Sequence, residues 1–178
     1  NFFLEKLVKK TLSKSYFIIS TSFRYVHFSN LLNKFNDKIK VIPPVLDNQR
    51  FKNESFTENL IKNKINILSV GRFVKYKGFE ILIKSMNYLP ENYHLTLIGN
   101  GPLNKKFQSI INDLKLSKRI TIINNANDEL LSKKLKNCNI FVLPSINKSE
   151  AFGVVLLEAL YFGRPLLTSN LFDSGVTE

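Results

Sequence analysis

The sequence predicts an α/β fold: a parallel sheet with helices packed on both faces. Three observations predict it. From Lys64 onward, apolar runs of five or six residues alternate with amphipathic segments long enough to be helices. The runs are continuously apolar, as strands buried on both faces require. Glycine and polar residues collect where each run ends and the next helix begins, the edge at which such sheets bind ligands.

The elements follow in order. INILSV (65–70) is a strand that runs into Gly71-Arg72 and a loop to Gly78. Residues 79–88 form a helix closed by Pro90, and HLTLIG (94–99) is the next strand. Gly101-Pro102 opens a helix with proline at its first position, where the missing N–H is harmless. That helix is expected to reach about Lys115. RITII (119–123), a helix over 128–136, NIFVL (139–143), a helix after Gly153, and PLLTS (165–169) complete the alternation.

Upstream, residues 1–14 place Phe3, Leu4, Leu7, Val8 and Leu12 at helical spacing opposite a lysine-rich face. Such a helix is expected to pack on a sheet, although a basic amphipathic helix can also lie on a membrane. A strand at 16–20, a helix over 22–35 and a strand at 39–42 follow. Pro43-Pro44 ends that strand, because neither residue can donate a ladder hydrogen bond. The polar stretch after it, 45–63, reads as a linker, which gives expected domains of 1–44 and 64–178.

Composition narrows the function classes. The chain of 178 residues is 44% hydrophobic and 12% aromatic, enough for a core. Asn1 is not an initiator and Glu178 follows no polar tail, so both ends look cut from a longer protein. No apolar run reaches the roughly 18 residues that span a bilayer. One cysteine, Cys138, excludes an internal disulfide and argues for a reducing compartment; it is expected to be a small buried residue. His27 and His94 lack metal-ligand spacing to another His or Cys. The net charge is +12, carried by 21 Lys and only 5 Arg. Base readers lean on arginine and no nucleic-acid motif is present, so anionic lipid headgroups or a phosphate-bearing substrate fit the charge better.

The chemistry concentrates in VLPSINKSEAFGVVLLEALYFG (142–163). A strand there crosses a polar loop and starts a helix near Gly153, whose free N–H groups and dipole favour an anion. Glu150 in the loop and Glu158 inside the helix can each reach a hydroxyl. Phosphate on N–H groups with hydroxyls on carboxylates describes a sugar nucleotide. An amphipathic helix with Glu158 on its wet face fits the same spacing. Arg72 and Lys77, two cations on one strand-end loop, suit a diphosphate. Gly99-Asn100-Gly101 and Asn125-Ala126-Asn127 lie at the same kind of edge; the former lacks the third glycine of a dinucleotide fingerprint.

Taken together, VIPPVLDNQRF, SVGRFVKYKGFEILIKS, LIGNGPL, FVLPS and SEAFGVVLLEAL…GRPLLTSN resemble the donor-binding half of the retaining glycosyltransferases of family four, which have the GT-B fold. The resemblance covers about residues 39–178, and residues 1–38 resemble more loosely the end of the family's acceptor-binding domain. It implies a Rossmann-like sheet, truncated at its C-terminus, and transfer of a sugar from a nucleotide-diphosphate donor with retention. Arg72 and Lys77 would hold the diphosphate, beside Gly71. Glu150 would contact hydroxyls of the transferred sugar, aided by backbone at Phe152, Gly153 and Val154. Glu158 would bind the ribose, and the loop ending at Asn127 would lie against the base, although the glycine and aromatic usual there are replaced in this chain.

Glu150, Arg72 and Lys77 are thus the expected catalytic residues. No metal and no resident cofactor are implied, since the Asp-x-Asp pattern is absent and the two cations would stand in for a divalent ion. The implied partners are the sugar nucleotide, a glycan or lipid-linked acceptor, and an anionic membrane surface at the cytoplasmic face. A sugar-nucleotide epimerase of the same fold and a non-catalytic basic binding module remain open alternatives.

Overall fold

The computed structural model describes residues 2–51 and 63–178. Of the expected linker, residues 52–62 lie outside that range. The chain divides into two compact units: Asn1–Pro44 with Asn147–Phe152 and Asn170–Glu178, and Val45–Ile146 with Gly153–Ser169.

The second unit carries the predicted alternation. It contains β3 (Ile65–Val70), α3 (Phe79–Ser85), β4 (Tyr93–Ile98), α4 (Asn104–Asp113), β5 (Ile120–Ile123), α5 (Asp128–Asn137), β6 (Ile140–Leu143), α6 (Val155–Tyr161) and β7 (Leu166–Thr168). All four pairings are parallel and the strand order is β5-β4-β3-β6-β7. The chain therefore winds outward in one direction from β3, returns, and winds outward in the other from β6. The turnover point between β3 and β6 is where open parallel sheets leave a crevice at their C-terminal edge.

The core explains why these runs are strands. Ile67, Leu68, Leu95, Leu97, Phe141 and Leu143 are buried, so both faces of the central strands are covered. Phe79, Leu82 and Ile83 of α3 and Phe107 and Ile111 of α4 supply one covering layer. Phe73, Phe79 and Phe107 stack edge to face at 5.4–6.2 Å between centroids.

Two boundaries differ from expectation for local reasons. The helix expected from Pro102 begins only at Asn104: Leu103 precedes it with a non-helical backbone, φ −91° and ψ 3°, and its N–H bonds the Phe73 carbonyl at 3.1 Å. The expected linker includes a 3₁₀ turn, Asn48–Phe51, whose Phe51 is buried against Tyr161 and Phe162 at 5.5 and 5.2 Å.

The first unit contains α1 (Phe2–Lys14), β1 (Ile18–Ser20), α2 (Phe23–His27) and β2 (Ile39–Val41), with β1 and β2 parallel. The single helix expected over 22–35 is not formed. Ser22 caps α2, but the His27 carbonyl accepts from the Asn33 amide at 2.6 Å, and the Ser29 hydroxyl accepts from the N–H of Leu32, where a separate 3₁₀ segment begins. Nor do the apolar residues of α1 pack on a sheet: Phe3, Leu4 and Leu7 are all more than half exposed. Among the described residues, no helix is long and apolar enough to cross a membrane.

Candidate functional site

The site is built at the C-terminal edge of the five-stranded sheet, by loops that glycines allow to interlock. Gly78 sits at φ +69°, and a Cβ there would lie 1.9 Å from the Pro144 carbonyl oxygen just beyond β6. A Cβ on Gly99, just beyond β4, would lie 1.9 Å from the Gly71 carbonyl oxygen. The loops leaving β3, β4 and β6 thus touch backbone to backbone, which fixes where their polar side chains stand.

Arg72 owes its position to its neighbours. Phe73 is wholly buried in the aromatic cluster, and the Lys77 stem lies against Gly71. Arg72, held between these two anchors, is exposed and lines a cleft of about 350 Å³ with Gly71, Gly99, Asn100, Asn125 and Leu131. Lys77 is buried, its Nζ lying 5.7 Å from the centre of the Tyr76 ring. Its aliphatic stem is the buried part of the contact with Gly71, as long cations permit.

The far wall comes from β4, β5 and α5. Asn100 donates to Asn125 at 3.5 Å, and Asn125 takes the left-handed conformation, φ +55°. Asparagine tolerates that region better than most side chains. Asn127 accepts from the Leu130 N–H at 2.9 Å, which commits its amide oxygen to capping α5.

Glu158 is not on a wet face. It is 8% exposed within α6, and Arg50 donates to it from Nη1 at 2.9 Å. Arg50 also grips Asp128, Nε to Oδ2 at 3.2 Å and Nη2 to Oδ1 at 2.5 Å. Burial pushes the Glu158 carboxyl above its ordinary range, against the pull of Arg50; Asp128 adds to the push. Asp128 itself is held low, chiefly by its hydrogen bond from Arg50. Asp128 and Leu131 are three apart on α5, hence on one face, and Leu131 lines the Arg72 cleft. The triad of Arg50, Asp128 and Glu158 ties the first turn of α5 to α6.

The expected residues thus divide. Gly71, Arg72, Lys77, Asn127, Gly153, Val154 and Glu158 belong to the sheet unit. Gly153 takes φ +79° ahead of α6, and Val154 is exposed. Glu150 and Phe152 belong to the other unit. There the Glu150 carbonyl accepts a short hydrogen bond from the Ser174 hydroxyl, and the Gly175 N–H bonds the Ala151 carbonyl at 2.9 Å. Glu150 itself is buried.

Arg50 and Asp128 were missed in the sequence. Arg50 sits in a stretch that reads as linker, and its partners lie 78 and 108 residues away. The available signal was an arginine, one of 5 in a lysine-rich chain, beside a bulky aromatic in that stretch. Among the described residues, no group of His, Cys, Asp and Glu is arranged to hold a metal ion.

Comparison with known proteins gives a consistent picture. The family profile "Glycosyl transferases group 1" matches residues 51–178. The O-antigen chain mannosyltransferase C of Escherichia coli is 31% identical over 159 residues, covering 86% of this chain and 42% of the relative. The capsular polysaccharide biosynthesis glycosyltransferase CapH of Staphylococcus aureus is 30% identical over 182 residues, covering 96% and 49%. The chain thus spans less than half the length of these curated relatives. Among solved structures, Anabaena HepE in complex with UDP-glucose superposes with a TM-score of 0.75 at 16% identity, over 97% of this chain and 50% of that one. At that identity the likeness concerns the fold, which is of GT-B type.

Proposed function

The chain belongs to the glycosyl transferases of group 1, and from that membership we propose that it forms the donor-binding part of a retaining glycosyltransferase of family four. The enzyme moves a sugar from a nucleotide-diphosphate sugar to a glycan or lipid-linked glycan precursor. One observation supports the reading: the loop after β3 carries an exposed arginine, and the helix after β6, the strand beside β3, carries a buried carboxylate.

In this reading Arg72 and Lys77 bind the diphosphate and neutralise the charge that develops as it leaves. Glu158 accepts from the ribose hydroxyls, and the loop of Asn125 to Asn127 flanks the base. Glu150 accepts from hydroxyls of the sugar, with backbone of Phe152, Gly153 and Val154. The bond from the anomeric carbon to the diphosphate oxygen breaks with its electron pair going to the diphosphate. The sugar becomes oxocarbenium-like, and the cations stabilise the departing anion. The acceptor oxygen bonds the anomeric carbon on the face the donor leaves, and its proton passes to a diphosphate oxygen. No dedicated base is required in this part of the protein, and the two cations take the place of a metal ion.

The polysaccharide assignments of the relatives support a glycan acceptor. The lysine-rich charge of +12 supports attraction to an anionic membrane surface on the cytoplasmic side. Two substitutions test the roles. Glu158→Ala should weaken binding of a bare nucleoside diphosphate. Glu150→Ala should leave it unchanged while weakening the sugar-bearing form, as measured by calorimetric titration. If both variants bind every ligand like the parent, the assignment is wrong.

A further inference from the structure

Arg50 has no role in the reading above, yet its guanidinium is spread over two carboxylates at the site's edge. We infer that Arg50 is a positioning residue of the nucleotide site: anchored by Asp128, it holds the buried Glu158 carboxylate ionised and oriented toward the incoming hydroxyl. The inference rests on the donor-site reading of Glu158.

Three observations carry it. The Glu158 side chain is 10% exposed, a poor place for a lone carboxylate, and desolvation alone would favour its neutral form. Among the described residues its only hydrogen bond comes from Arg50, and it goes to Oε1. The second oxygen is left to accept from a ligand. The Arg50 fork is itself fixed: two of its nitrogens bond Asp128, and the adjacent Phe51 is buried between Tyr161 and Phe162. A guanidinium so constrained presents its remaining nitrogen to Glu158 without further loss of freedom.

A purely structural clip between α5, α6 and the Asn48–Phe51 turn would use the same bonds. The two roles differ in their dependence on pH. The charged groups facing Glu158 are Arg50 on the 3₁₀ turn and Asp128 on α5. Arg50 opposes protonation of Glu158 and Asp128 promotes it, so removing the arginine should extend the neutral form to higher pH.

The experiment titrates UDP, GDP and ADP into the parent chain and into Arg50→Gln, Arg50→Lys and Asp128→Asn between pH 5.5 and 8.5. Comparing ratios of Kd cancels the titration of the ligand's own phosphates. For the diphosphate that binds the parent, Arg50→Gln should be weaker by about ten-fold at pH 6, the loss of one charge-assisted bond. The gap should narrow toward pH 8.5. Arg50→Lys, which keeps the charge and loses the fork, should recover part of the affinity at pH 6. In a Glu158→Gln background the pH-dependent gap should vanish. Asp128→Asn frees the guanidinium but also removes the charge that promotes protonation of Glu158, so its loss of affinity should be smaller than that of Arg50→Gln and no larger at pH 6 than at pH 8.5. Arg50→Lys, whose loss should also be greater at pH 6, keeps the test valid if Arg50→Gln fails to fold. A ratio of Arg50→Gln, or of Arg50→Lys, to parent that stays constant across pH would overturn the inference and leave a structural clip. Absence of nucleoside diphosphate binding in the folded parent would overturn the donor-site reading, and this inference with it.

Discussion

Gly78→Ala tests the loop architecture that places Lys77 and Arg72. Two costs follow from the structure. Gly78 is left-handed at φ +69°, where a side chain costs about 1–2 kcal/mol. The new Cβ would also lie 1.9 Å from the Pro144 carbonyl oxygen, far inside the roughly 3.5 Å of a favourable contact. That oxygen is backbone and cannot swing aside, so the loops must separate, at about 1–3 kcal/mol for an overpacked site. The sum is about 2–5 kcal/mol, or roughly 5–15 °C in Tm for a chain of this size. Gly163→Ala provides the control. Gly163 has φ +65°, but its added Cβ would meet nothing within 4 Å. It should lose only the backbone cost, about 1–2 kcal/mol, and a few degrees. Thermal melts followed by circular dichroism separate the two. If Gly78→Ala melts as high as Gly163→Ala, the contact of the Gly78 turn with Pro144 does not constrain the site and the positional argument for Lys77 falls.

Lys77→Ala should weaken binding of a nucleoside diphosphate more than that of the monophosphate, read by titration of both; equal losses would remove Lys77 from the diphosphate site. Burial pushes the Cys138 thiol up to about 12, so it should resist a thiol reagent at pH 8 in the folded chain and react once urea unfolds it. The same shift sets a stability slope. The unfolded thiol ionises above its ordinary value near 9 while the folded one keeps its proton. Stability should therefore fall above pH 9, by at most about 1.4 kcal/mol per pH unit, until pH 12. A Cys138→Ala variant should lose that contribution, and a parent-like alkaline slope in it would refute the assignment.

The central strands were legible because continuous apolar runs such as INILSV and NIFVL have one economical fate, a strand covered on both faces. The loop that carries Arg72 and Lys77 was legible as a strand-end loop because it is local in sequence. Residues whose position depends on distant chain were not. Arg50 reads as linker until Asp128 and Glu158 are brought to it. The 22–35 segment has helical spacing, but its continuation depends on whether the Asn33 side chain or a backbone N–H takes the His27 carbonyl, a competition that apolar periodicity does not record. The wet-face reading of Glu158 failed for a related reason. Burial of one position on a helix depends on what packs there, and here that is an arginine from outside the sheet alternation.

The central claim is a donor site for a sugar nucleotide that works without a metal. A thermal-shift panel of UDP, GDP, ADP and their sugar conjugates, first with chelator and then with Mg²⁺, tests it most directly. A ligand at 100-fold its Kd should stabilise the chain by about 2.7 kcal/mol, roughly 5–10 °C. The account predicts such a shift for one base, with chelator present and unchanged by Mg²⁺. A shift that requires Mg²⁺ would contradict the role given to Arg72 and Lys77, and no shift with any nucleotide in the folded chain would contradict the donor site itself.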